Sequence, residues 1–218
     1  VGTFESGMFH KTVVSNVKQG QIWMLFNNKE RFLRYLYSLL IGLPIWFVVG
    51  IFITQAPEFG KALQSPVTLS AGKGILYTYI GISLGDFIAG LFAQMTKSRR
   101  LTVFIFQLGI LATSFLFLTA QHITESRFIW LAFLMGLSVG YWATFVTIAS
   151  EQFGTNLRST VTTTAPNFVR GALIPSTLLF EYFVHKTNIL TAGMIMITLL
   201  SAIAIFAVSQ LKESFNKD

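Results

Sequence analysis

A chain of 218 residues that is 53% hydrophobic and only 11% charged, with a mean hydropathy of +0.62, cannot assemble the polar surface of a soluble domain. The composition excludes disorder and an ordinary globular enzyme, and the absence of cysteine excludes a disulfide scaffold, a cysteine-based zinc site and a thiol nucleophile. The net charge of +7 reports first on topology, because the basic residues of a membrane protein collect on its cytoplasmic side.

Residues 1–34 read as a cytoplasmic segment. Trp23, Met24, Leu25 and Phe26 stand next to Asn27, Asn28, Lys29 and Glu30, which fits either an amphipathic helix lying on the membrane face or a linker into the first span. The sequence begins at Val1 with no start methionine, as expected of a piece of a longer protein.

A hydrocarbon core about 30 Å thick needs about 20 residues of helix, and six runs of that length follow within a domain over residues 35–209. Four are free of Asp, Glu, Lys and Arg: 35–55, 101–120, 128–150 and 189–208. Two carry a single charge, Asp86 within 75–95 and Arg170 within 161–180. The runs lack the strict alternation of barrel strands, and the first begins too late and is too long for a signal peptide. The fold class is therefore all-α, with six transmembrane helices and a cytoplasmic tail over 210–218.

An even number of spans puts both termini on one side. Eleven of the sixteen Lys and Arg residues fall there, against Lys61, Lys73, Arg127 and Lys186 opposite. Both termini are thus expected in the cytoplasm, with the chain integral to a cell (inner or plasma) membrane, and the basic pI calls for no nucleic-acid partner.

A charge at mid-bilayer costs about 2.5–3.5 kcal/mol on insertion scales. Asp86 and Arg170 each lie ten residues from the cytoplasmic edge of their span, about 15 Å at helical rise, and so at one depth. Three arrangements fit: a direct pair, two halves of a site facing a water-filled cavity, or a buried pair that only fixes packing. Tyr79, Ser83, Asp86, Gly90 and Gln94 share one helix face, and Thr160, Thr163, Asn167, Arg170, Thr177 and Glu181 form a second polar stripe. The two stripes point to an aqueous path.

Gly81 and Gly85 form GxxxG, and Gly136, Gly140, Ala143 and Thr147 give the fourth span a small-residue face for tight packing. Pro44, Pro166 and Pro175 bend the first and fifth spans. Gly136–Gly140 matches the GxSxG nucleophile pattern, but it falls mid-helix and His10, His122 and His185 all lie outside the spans, so no enzyme is expected. The histidines show no metal-ligand spacing either, and neither a metal nor another cofactor is expected.

Three stretches carry a family resemblance. Gly90-Leu-Phe-Ala-Gln-Met-Thr-Lys-Ser-Arg-Arg100 resembles a signature loop of Gly, three residues, Asp and a basic run, with Gln94 in place of Asp and one residue inserted. Ser150-Glu151-Gln152-Phe153 through Leu157-Arg158-Ser159-Thr160 is similar to the Glu and Arg of the loop after a tenth helix, and Glu5-Ser6-Gly7-Met8-Phe9 to the segment leaving a sixth. Together they resemble the C-terminal six-helix half of a major facilitator superfamily transporter, across essentially the whole chain.

The resemblance implies secondary active transport of a small polar or anionic solute by alternating access, ion- or proton-coupled, between this half and a missing N-terminal six-helix half, all within the lipid bilayer. It implies a cytoplasmic gate of Arg99, Arg100, Glu151 and Arg158; solvated loop charges on the positive-inside side would account for the Arg residues but not for the acidic Glu151 among them. On this reading Arg170 anchors the solute, Asp86 is its partner or the coupling group, and Asn167, Ser83 and Tyr79 supply hydrogen bonds. A six-helix channel and a non-transporting membrane interaction protein are the alternatives; the first would need a charge ring or a carbonyl-lined filter, which no span offers.

Overall fold

A computed structural model describes residues 22–215. The stretch Glu5–Phe9, the basic residues Lys11, Lys18 and Lys217, and His10 lie outside the described residues.

Every regular element among the described residues is a helix. After a single 3-10 turn at Ile22–Leu25, Asn28 leaves the helical region and its side chain accepts the N–H groups of Glu30 and Arg31, starting α1 (Lys29–Phe47). The residues from Ile22 to Arg34 therefore form one short turn and the opening of a span, with Leu25 buried and Trp23 exposed, in place of a separate amphipathic helix. Pro44 deprives α1 of one hydrogen-bond donor, and the helix widens into a π-helical turn over Val48–Ile53. A short α2 (Ala56–Ala62) then leads to α3 (Ala71–Thr96), α4 (Arg99–Leu118), α5 (Glu125–Val139), α6 (Trp142–Glu151), α7 (Thr155–Gly171), α8 (Leu173–Lys186) and α9 (Ile189–Gln210).

Among the described residues five stretches are long and apolar enough to cross a membrane, as in an integral membrane protein: Lys29–Ile53, Ala71–Thr96, Arg99–Leu118, Glu125–Glu151 and Ile189–Gln210. The expected span over 161–180 is instead shared between α7 and α8, which meet at Ala172. Pro175 accounts for the interruption, since it has no N–H for the Gly171 carbonyl and its ring crowds that oxygen. The stretch Glu125–Glu151 is interrupted too, at Gly140–Tyr141, where no proline is present.

The two small-residue motifs meet each other. The buried side of α3 is Gly74, Thr78, Gly81, Gly85, Ala89 and Ala93, and it packs against α5 closely enough that a Cβ on Gly140 would lie 2.6 Å from the Gly85 Cα. Below this seam α1 fills the bundle centre against α6, α7 and α9. Phe47, Phe52, Phe59, Phe117 and Phe180 form a buried aromatic cluster at one end, with the Phe47 and Phe52 rings 5.1 Å apart in an edge-to-face arrangement.

Candidate functional site

The first four N–H groups of a helix have no partner within it, and α6 starts inside the bundle, so its amides need an acceptor from elsewhere. Asp86 provides one. Its Oδ1 accepts the Ala143 N–H at 2.9 Å, and the Trp142 N–H also points at the carboxylate. The negative charge thus sits at the positive end of the α6 dipole. Tyr141, the residue at the break, is fully buried; its hydroxyl donates to the Ile41 carbonyl at 2.7 Å and accepts from Gln107 Nε2 at 2.6 Å.

Arg170 meets the mirror image of this arrangement. It occupies the last turn of α7, where a cation faces the negative end of a helix dipole. Its guanidinium lies over two indoles, 5.1 Å from the Trp46 ring centre and 5.7 Å from that of Trp142. Among the described residues Asp86 and Arg170 form no ion pair with each other. Of the three expected arrangements, the direct pair and the packing pair do not occur. Each charge is matched to a broken helix end, and Trp142 stands between them, its backbone toward Asp86 and its ring toward Arg170.

The remaining expected site residues are dispersed. Tyr79 and Ser83 lie on the uncovered face of α3, where the Ser83 hydroxyl donates back to the Tyr79 carbonyl at 3.0 Å. Asn167 lies on the uncovered face of α7 and donates to the Thr163 carbonyl at 3.0 Å. The α3 and α7 stripes flank α6, which packs on both helices.

A cavity of about 440 Å³ runs from Asp86 along the α3 stripe past Gly90 and Gln94, with Thr144 and Thr147 of α6 opposite. It ends at Arg99 and Phe215. At that end the chain turns from α3 to α4 in two residues, with Lys97 in the left-handed region (φ 51°) and Ser98 as N-cap. Arg99 and Arg100 consequently form the first turn of α4, where the helix dipole disfavours cations. Two acids offset this. Arg99 Nη2 donates to Glu151 Oε1 at 2.7 Å, while the Glu213 carboxylate accepts the Ser98 hydroxyl at 2.5 Å and the N–H groups of Arg99 and Arg100 at 3.0 and 3.3 Å.

Of the four expected gate residues, then, Arg99 and Glu151 form an ion pair, whereas Arg100 donates to the Ser209 carbonyl at 2.9 Å. Arg158 lines a neighbouring cleft of about 720 Å³ with Arg34, Gln152 and Lys212, and forms no ion pair among the described residues.

Glu213 is the central acid of this end. Burial pushes its pKa up, but the hydrogen bonds from Ser98 and from the N–H groups of Arg99, Phe215 and Arg100 outweigh that and hold the carboxyl below the usual glutamate range. In the sequence it is one acid between two lysines of a tail, and only the uncompensated Ser98-Arg99-Arg100 turn hinted that some carboxylate was needed. Trp46, Trp142 and Tyr141 left no such hint, since an aromatic residue inside a span looks like any other apolar one.

The chain matches no family model and no curated protein.

Proposed function

We propose that this chain is the C-terminal half of a twelve-helix secondary active transporter of the major facilitator type. It moves a small polar or anionic solute by alternating access, with a coupled ion or proton, and it catalyses no chemical step. In this reading α7 and α8 together make the fifth of six spans, both termini face the cytoplasm, and an N-terminal six-helix half covers the polar faces of α3 and α7.

One observation carries the reading: two opposite charges within the helical bundle, Asp86 on the first turn of α6 and Arg170 on the last turn of α7, each at an interrupted helix, with a polar cavity leading from Asp86 to a charged closure. Interrupted helices at mid-membrane free backbone dipoles to face a solute, and they belong to sites that must bind and then let go. Arg170 has the fork for an anionic group, and its indole neighbours hold that fork in place. Asp86 is the coupling group, because taking up a proton weakens its hold on the first turn of α6.

The test is uptake by the full-length protein in proteoliposomes, screened against organic anions and neutral polar solutes under an imposed proton gradient. Saturable uptake that Arg170→Gln abolishes and Asp86→Asn uncouples from the gradient is the expected result. Normal gradient-driven uptake in both variants removes the site, and conduction without saturation removes the transporter.

A further inference from the structure

The cavity that leads to Asp86 is bounded at its outer end by residues that follow the last helix. These residues do not trail away. Leu211 and Ser214 are 2% and 7% exposed, the Lys212 carbonyl accepts from Gln152 Nε2 at 2.9 Å, and the Glu213 carboxylate sits on the first turn of α4. Phe215 follows with its ring 5.6 Å from the Arg99 guanidinium, forming part of the cavity wall.

Arg99 is therefore shared between two partners on different parts of the chain, Glu151 at the end of α6 and Phe215 of the tail. The ion pair does not close on its own. It has one N–H···O contact, and Arg99 Nε and Glu151 Oε2 are buried without a hydrogen-bond partner among the described residues. The aromatic ring supplies the rest of the closure.

We propose that residues 211–215 form a latch that shuts the Asp86 cavity at its Arg99–Glu151 end, and that withdrawing Phe215 from Arg99 opens it. The proposal rests on the transport reading of that cavity and adds its regulation. The design suits a contact that must part repeatedly. The segment has no regular secondary structure, its grip is a set of separate hydrogen bonds and one cation–π contact, and its anchor Glu213 holds α4 while Gln152 ties it to the α6 end, so a movement of α6 against α4 pulls on both.

These 218 residues contain no cysteine, so in full-length protein with any cysteine elsewhere replaced by serine, a single introduced thiol reports on the cavity. Thr144 is 4% exposed and lines the wall, which makes Thr144→Cys the reporter. The measurement is its rate of modification by a membrane-impermeant methanethiosulfonate in full-length protein held in lipid nanodiscs. Adding Phe215→Ala is expected to raise the rate about tenfold, equivalent to about 1.4 kcal/mol of closing contacts. Glu213→Gln is expected to raise it less, and Phe215→Tyr, which keeps the ring, to leave it at the parent rate.

Unchanged rates in both Phe215→Ala and Glu213→Gln overturn the latch. So does a parallel rise at Ser201→Cys, a fully buried core position, because that marks general loosening. No solute is involved. A tenfold rise in a protein that shows no saturable uptake keeps the latch and removes the transport reading, whereas saturable uptake with an unmoved Thr144 rate does the reverse.

Discussion

The bundle contains two interrupted helices, and they are interrupted for different reasons. Between α7 and α8 the cause is local: Pro175 removes the hydrogen bond to Gly171, and the break follows from three or four residues of sequence. Between α5 and α6 the local sequence reads as uninterrupted helix. Here the break is held by residues distant in the chain: the Gly85 backbone against Gly140, Asp86 on the freed amides, and Ile41 and Gln107 on the Tyr141 hydroxyl. A break made by covalent structure persists whatever its surroundings do. A break held by contacts depends on those contacts, and so it is the one that a change in Asp86 is placed to alter.

That contrast is broken most severely at the seam. Gly85→Val puts a Cβ into the Leu137 and Gly140 backbone, where no side chain can yield, and is expected to cost about 3 kcal/mol or prevent folding. Thermal unfolding in detergent measures it, and a variant as stable as the parent would mean that α3 and α5 do not touch there.

At the acid, two replacements separate structure from coupling. Asp86→Ala removes the acceptor for α6 and is expected to cost about 1–2 kcal/mol, whereas Asp86→Asn keeps a carbonyl oxygen for the Ala143 N–H and should cost less. Chemical denaturation gives both values. If Asn is stable but loses gradient dependence in uptake, the carboxylate does more than cap.

At the other break the sign reverses. Pro175→Ala supplies the missing N–H to Gly171 and joins α7 to α8, so stability is expected to rise by about 1 kcal/mol, read as a higher unfolding midpoint. A fall would show that Pro175 is not the cause of the interruption.

The smallest effect is expected at the closure end. Because the folded state holds the Glu213 pKa below its unfolded value, the stability it contributes is complete above the ordinary glutamate range. It declines as pH falls through the depressed folded value and is absent below that. Glu213→Gln is expected to cost about 0.5 kcal/mol near neutrality, the carboxyl being largely solvent-screened, and to flatten this acid limb of the stability–pH curve. An unaltered acid limb in the variant would take Glu213 out of the charge balance.

Most of the architecture was legible because a bilayer imposes a simple demand. The runs at 75–95, 101–120 and 189–208 became α3, α4 and α9 with ends displaced by at most four residues, since length and lack of charge suffice to make such helices. The glycine motifs at Gly81/Gly85 and Gly136/Gly140 were visible as packing surfaces, though not as each other's partner. Counting residues from the span edges set Asp86 and Arg170 at one depth, which admitted an ion pair that the fold does not make. Asp86 finds its partner in the freed amides of α6 and Arg170 in the faces of Trp46 and Trp142, so neither depends on a desolvated counter-ion.

By itself the sequence determined that this chain forms apolar helices, that Asp86 and Arg170 each lie within a helix, and that Pro175 disturbs the helical run that follows Arg170. These follow from hydropathy and from proline chemistry, which act within one or two turns. Only the tertiary structure decided that α5 and α6 part at Gly140, that Trp142 stands between the two charges, and that Glu213 reaches Arg99. In each of these a buried dipole or charge takes its partner from a residue distant in the chain, and the identity of that partner depends on which helices the bundle sets side by side.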